Sequence, residues 1–248
     1  MLKVERQQQI LDWLQKEKKV LLSEISSALK VSEDTIRRDI KELSAKRLLQ
    51  EVRGGAVPQS PGPRDLKERT LFASQDKKTM ARKAIKLLQK GQVIILDGGT
   101  STLAIAVQIP RDWNLTVITN SFPVVNLLED RNDIELFFAG GRLFRESFLT
   151  TGHDATGFFQ NIRADICFLG VSSIDLNLGL TGHHYDECAL KKAMIKSSNQ
   201  VVALSTPEKL NTTEAFHICP LQALTGLITP KPDIELLAPY KKAGVNVI

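Results

Sequence analysis

Six short apolar runs recur along the last two thirds of this chain, at 93–96, 115–119, 134–139, 165–170, 200–205 and 224–229. Each is of strand length, and a strand that is apolar along its whole length is one buried on both faces. Helix-patterned stretches at 75–89, 101–109, 121–129 and 185–198 separate several of them. Strands alternating with helices are joined by crossovers, which lay helices over both faces of a parallel sheet. The expected fold class is α/β, with this larger α/β unit over 74–248. No internal repeat and no long low-complexity segment interrupts it.

The first sixty residues read differently. Residues 3–18 are rich in helix formers, with Ile10, Leu11 and Leu14 as an apolar stripe. A short helix over 23–30, opened by Ser23, turns Ile25 and Leu29 inward. After Lys30-Val31, Ser32 is placed to cap a third helix from Glu33 to about Lys46. Ile36, Ile40 and Leu43 fall at i, i+4 and i+7, on one face. The pattern then becomes extended over 48–52, turns at Arg53-Gly54-Gly55 and resumes at Ala56-Val57, as two short strands would. Three prolines in 58–64 predict a stiffened connection. The expected division is 1–58, a linker over 59–73, and 74–248.

Composition narrows the class. The net charge is +5. Residues 1–60 carry twelve Lys/Arg against nine Asp/Glu, so positive density is higher at the N-terminal end, as for a nucleic-acid-binding module on a near-neutral body. No apolar run approaches the ~18 residues that span a membrane, and Met1 to Gln9 lacks an apolar signal region. Cys167, Cys188 and Cys219 have neither zinc-ligand nor disulfide-framework spacing. A reducing cytoplasm and no membrane partner are expected.

Residues 23–46 supply a short helix, a turn and a second helix with a polar, basic outer face, the parts of a helix-turn-helix. Arg37, Arg38 and Lys41 project opposite the apolar stripe, and Asp39 and Glu42 fall on a flank. Ser32 and Thr35 stand at the N-terminal end, where hydroxyls and backbone N–H groups meet phosphates or base edges. The arginine fork suits guanine O6 and N7, and Lys41 and Lys46 suit phosphates. The Arg53 turn can act as a wing beside a minor groove. The expected partner is double-stranded DNA, read by at least a dimer.

Asp97-Gly98-Gly99-Thr100-Ser101-Thr102 lies between an apolar strand and a helix. Two glycines let successive N–H groups converge on an anion, and three hydroxyls and the positive helix end add to the same spot. The hexapeptide lacks the Walker Gly-Lys-Ser/Thr and the G-x-G-x-x-G pattern. Further loops follow strand ends, where open α/β sheets collect ligands: 119–121, 140–142, 170–173 with Asp175, and Lys209. Glu187 opens a helix with Lys191 one turn later. Adjacent histidines, His183 and His184, point in different directions and no carboxylate spacing completes a metal set; no metal and no cofactor is expected. Cys167 reads as core. No nucleophile elbow is visible, so no catalytic residue is assigned.

Val31-Ser32-Glu33-Asp34-Thr35-Ile36-Arg37-Arg38-Asp39-Ile40-Lys41-Glu42-Leu43, followed by Arg53-Gly54-Gly55-Ala56, resembles the signature of DeoR-type regulators. In that family the segment is a winged helix-turn-helix, and the basic pair contacts operator DNA. Arg53 stands where the family usually has His. The resemblance continues through Leu96 to Thr102, Val117-Ile118-Thr119-Asn120-Ser121, Ala139-Gly140-Gly141, Gly179-Leu180-Thr181 and Glu187. It implies a sugar-phosphate sensor resembling the sugar-phosphate isomerases in fold. By that likeness Asp97, Gly98, Gly99, Thr100, Ser101 and Thr102 hold the phosphate, and Asn120, Gly141, Ser172, Glu187 and Lys209 border the sugar. Thr206-Pro207-Glu208-Lys209-Leu210-Asn211 departs from the family's Asp-Ser-Ser-Lys-Phe-Gly, keeping the lysine, and Pro230 replaces a later aspartate. The implied function is a ligand-controlled transcription regulator, a repressor of a carbohydrate operon acting as a homodimer or homotetramer. The alternative is a sugar-phosphate isomerase-like enzyme with an appended domain, using Glu187 or Asp175 as base.

Overall fold

The computed structural model describes every residue except Lys18, Arg47, residues 59–62, Arg64 and Pro232, and of Gln15 only the backbone. The N-terminal elements are α1 (Lys3–Glu17), β1 (Val20–Leu21), α2 (Leu22–Leu29), α3 (Glu33–Ala45), β2 (Gln50–Val52) and β3 (Gly55–Val57). Ile10, Leu14, Ile25, Ile36, Ile40, Leu43 and Leu49 bury together as one small core. Each such side chain contributes about 1.5–3 kcal/mol when fully buried. Two details differ from the sequence reading. Ser23 lies inside α2 rather than capping it, since Leu21 holds the N-cap position and makes no side-chain cap. The wing is a three-stranded antiparallel sheet, β1-β3-β2, because Val20 and Leu21 pair with Ala56 and Gly55. A two-residue strand is too short to announce itself by alternation.

Of the expected linker, residues 59–62 and Arg64 lie outside the described residues. Its second half holds a helix, α4 (Leu66–Leu71), capped by the Asp65 carboxylate. There follow α5 (Ser74–Ile85), β4 (Val93–Leu96), α6 (Thr100–Gln108), β5 (Leu115–Thr119), α7 (Phe122–Leu128) and β6 (Ile134–Phe138). A hairpin of β7 (Arg142–Phe144) and β8 (Leu149–Thr151) leads to α8 (His153–Gln160) and β9 (Ala164–Gly170). Then come β10 (Ser173–Asp175), β11 (Gly179–Gly182), α9 (Tyr185–Lys196), β12 (Ser198–Leu204), β13 (Phe216–Cys219), β14 (Gly226–Ile228) and α10 (Ile234–Lys242).

The six apolar runs form one sheet in the order β14-β12-β9-β4-β5-β6. Every pairing in it is parallel. Its two faces bury separate cores, and β9 alternates between them. Ile166 and Phe168 join Met80, Ala84, Ile105 and Val124 from α5, α6 and α7. Cys167 and Leu169 join Phe159, Leu190, Met194 and Tyr240 from α8, α9 and α10. The doubly covered parallel sheet expected from the sequence is therefore the architecture. Its strand order reverses at β4, with β5 on one side and β9 on the other, and open sheets bind ligands beyond the strand ends at such a point. Among the described residues no helix is long and apolar enough to cross a membrane.

Candidate nucleic-acid interface and anion cleft

On α3 the cap works as read. The Ser32 hydroxyl accepts the Thr35 N–H at 3.3 Å and lies 2.9 Å from the Thr35 hydroxyl. Arg37, Arg38 and Lys41 are exposed, and Arg37 donates to Asp34 at 2.5 Å. Both members of that pair are open to solvent, so it holds Arg37 only weakly. The flank carrying Asp39 and Glu42 faces α1. Asp39 is buried and accepts from Arg6 and from Gln7, the latter at 3.3 Å. Glu42 accepts from Lys3 at 2.6 Å and Gln7 at 3.1 Å. Asp39 and Glu42 are thus tied to α1, and the outer face between Arg37 and Lys41 keeps its positive potential. Arg53, exposed in the β2–β3 turn, borders the same groove as Arg37.

The second candidate site is a cleft, open to solvent, beyond the C-terminal ends of β4 and β9. Its floor is a buried ion pair. Lys191 donates to the Asp97 carboxylate and, at 2.8 Å, to the Gly170 carbonyl, while Gly170 N–H donates to Asp97 at 3.0 Å. Glu187 lies 3.5 Å from Lys191, one helical turn away. Burial disfavours the Lys191 ammonium, but Asp97 and Glu187 outweigh it and hold the group charged above its ordinary value.

One wall is the start of α6. The first N–H groups of a helix lack helical acceptors, and Gly99, the N-cap, offers no side chain to cap them. Gly98, Gly99, Thr100 and Ser101 line the cleft there. Arg69, Lys77 and Lys209 line the same cleft and make it basic. Burial, with Arg69 nearby, pushes Lys77 down to about 8. Burial, with Lys77 and Arg69 nearby, pushes Lys209 down to about 8. The Arg69 Nε is buried and makes no hydrogen bond among the described residues. Cations that depress one another beside a helix N-terminus can accommodate a multiply charged anion.

Of the residues singled out in the sequence, Gly98, Gly99, Thr100, Ser101, Ser172, Glu187 and Lys209 line the cleft. Asp97 lies beneath it as the partner of Lys191. Three others do not line it. Thr102 is fully buried, and its hydroxyl donates to the carbonyls of Asp97 and Gly99, at 2.5 and 2.8 Å, which shapes the loop. Asn120 is fully buried and donates to the Thr150 carbonyl at 2.9 Å, joining β5 to the hairpin. Gly141, with φ +139°, packs where a Cβ would stand 2.7 Å from the Thr151 carbonyl, so a close backbone approach accounts for it. Asp175 caps its own turn by accepting from Asn177 and Leu178 N–H at 2.8 and 3.0 Å. Arg69, Phe72, Lys77 and Glu214 also line the cleft and escaped the sequence reading, and His183, weighed there only as a metal candidate, lines it too. Arg69 belongs to a helix inside the expected linker, and Lys77 reads as one more basic residue of an amphipathic helix.

His183 and His184 do not diverge as expected. Their ring centroids lie 4.4 Å apart, and Glu146 of the β7–β8 loop reaches His184 at 3.1 Å.

A family model described as the DeoR-like helix-turn-helix domain matches residues 6–61, and one described as the DeoR C terminal sensor domain matches residues 73–231. The transcriptional repressor GlcR of Bacillus subtilis is 30% identical over 98% of this chain and 95% of its own length. The transcriptional regulator GolR of Listeria innocua is 30% identical over 98% and 97%. The glycerol-3-phosphate regulon repressor of Haemophilus influenzae is 29% identical over 90% and 88%. Ribose 5-phosphate isomerase A of Methanocaldococcus jannaschii overlays 56% of this chain and 55% of its own with TM-score 0.41 and 18% identity. That overlap is too slight to speak to chemistry.

Proposed function

Because the chain belongs to the DeoR family of DNA-binding transcription regulators, we propose that it represses a carbohydrate-use operon and releases it on binding a phosphorylated sugar. In this reading residues 1–58 hold double-stranded operator DNA, 59–73 connect, and 74–248 sense the effector in the cytoplasm. Arg37 and Arg38 read base edges from α3, with Ser32, Thr35 and Lys41 on the backbone and Arg53 at the wing. Recognition helices meet successive half-sites about 34 Å apart, which takes a homodimer or homotetramer.

The observation that carries the effector assignment is the crowding of Arg69, Lys77 and Lys209 in the cleft that also holds the uncapped start of α6. A phosphate between them removes their mutual repulsion and supplies an acceptor for the Arg69 Nε. The polar edge formed by Ser172, Glu187 and Glu214 is suited to sugar hydroxyls. As with any effector, its influence equals its difference in affinity for the DNA-bound and free forms. The regulator relatives stand against the isomerase alternative, as does the engagement of Glu187 by Lys191 and of Asp175 by its own turn.

The test is fluorescence anisotropy on the chain's own upstream DNA with a panel of free and phosphorylated sugars. At least one phosphorylated member should shift the apparent Kd about fivefold or more, and its free counterpart should not. The reading is lost if R37A/R38A leaves operator occupancy unchanged, or if no phosphorylated compound alters it.

A further inference from the structure

We propose that Glu146, His183 and His184 form a binding site for a divalent transition-metal ion of the zinc class at the rim of the anion cleft. One ligand atom from each of the three lies within 4.8 Å of the other two. Tetrahedral ligands about 2.1 Å from zinc stand about 3.4 Å apart. The His184 Nε2 to Glu146 Oε2 separation, 3.1 Å, is close to that spacing, and a His183 ring nitrogen lies within 4.8 Å of both, near enough for a bound ion to draw it in. Two imidazoles and one carboxylate form a borderline donor set that favours zinc, cobalt or nickel over magnesium or calcium. Three protein ligands leave a coordination position for water or an oxygen ligand.

The surroundings hold these groups in place. The His184 ring packs edge-on against Phe144, with centroids 4.5 Å apart. The Arg142 guanidinium pairs with Asp186 on α9. The β7–β8 hairpin is thereby fastened to the start of α9 at Arg142, Phe144 and Glu146, which brings a carboxylate to His184, 38 residues away in sequence. The site also touches the regulatory machinery. His183 lines the anion cleft, and the Glu146 carbonyl accepts the Leu66 N–H at the start of α4. A metal here draws the hairpin, the head of α9 and the cleft rim together, and it does so whichever anion the cleft takes.

The test uses the full chain, stripped with a chelator and titrated with Zn²⁺ against a chromogenic competitor, and separately with Co²⁺ for visible d–d absorption. One Zn²⁺ per chain is expected. H183A, H184A and E146Q should each weaken binding about tenfold or more and abolish the Co²⁺ spectrum. H153A and H217A, which alter the two remaining histidines, should leave both unchanged. Zn²⁺ should raise the Tm of the parent chain but not of H184A, and metal-free melting of each variant separates lost ligation from lost folding. Failure to bind one equivalent, or binding that survives H183A/H184A in a folded chain, overturns the assignment.

Discussion

Asp97 and Lys191 show how much can rest on a single pair. Both are at most 4% exposed, and their contact joins β4 to α9 under the cleft. Removing one partner of a buried pair leaves the other charge unpaired, which costs about 3–5 kcal/mol. D97A should therefore lower the urea midpoint sharply, and D97A/K191M should recover part of the loss; equal midpoints for D97A and the parent would refute this. Lys209 and Lys77 lead to a pH prediction. Both sit at about 8 when folded, below the unfolded value near 10.4. The cost of holding them charged is fully present below about pH 8 and is relieved as pH rises towards the unfolded value. Their charge, and with it the affinity for a phosphate ester, declines over that same rise. Calorimetry should show sugar-phosphate affinity falling above pH 8, and K209M should be weaker at pH 7 with a flatter profile. Lys209 and the Glu187/Lys191 spacing were visible in the sequence. Nothing in it showed that Lys77 and Arg69 share their cleft, because that contact depends on where α4 packs.

At the level of elements, the wing is the clearest case of a structure decided by a partner. Gly55 pairs with Leu21, and a Cβ there would lie 1.9 Å from the Val20 carbonyl oxygen. Backbone cannot yield at that distance, so G55A must break the β1–β3 pairing. DNA binding should fall by at least tenfold while effector binding in the cleft persists; full DNA affinity in G55A would show that the third strand is dispensable. The recognition helix was readable because its cap, its apolar repeat and its basic face are all local. The burial of Asp39 was not, since the flank it occupies becomes interior only when α1 supplies Arg6 and Gln7. The β7–β8 hairpin and the short β10-β11-β13 sheet were missed for a related reason. Their strands of three or four residues are too short for periodicity to register.

Across the whole molecule, α4 is the element that can carry a signal. It follows the DNA-binding segment in sequence, its Leu66 N–H donates to the Glu146 carbonyl at 2.9 Å, and Arg69 donates to Ser147 at 2.9 Å. Lys77 holds its C-terminal end through the carbonyls of Arg69 and Phe72. An anion that engages Arg69 and Lys77 therefore pulls on the C-terminal half of the helix. R69A should leave effector-free DNA affinity within about twofold and remove most of the effector-induced shift, a coupling of ordinarily 1–3 kcal/mol. An undiminished shift in R69A would place the coupling elsewhere.

The local grammar of this chain was enough to settle its class: apolar runs of strand length separated by helices, and a capped, basic helix after a turn. These features hold because periodicity and capping depend on neighbours within a few residues. The tertiary structure alone decided which distant charges meet. It placed Asp97 under Lys191, set Arg69 and Lys77 beside Lys209, and carried Glu146 to His184. Each of those meetings spans eight or more residues, and most span dozens. Electrostatic contacts at such range follow from how layers pack, and no pattern in the sequence records them.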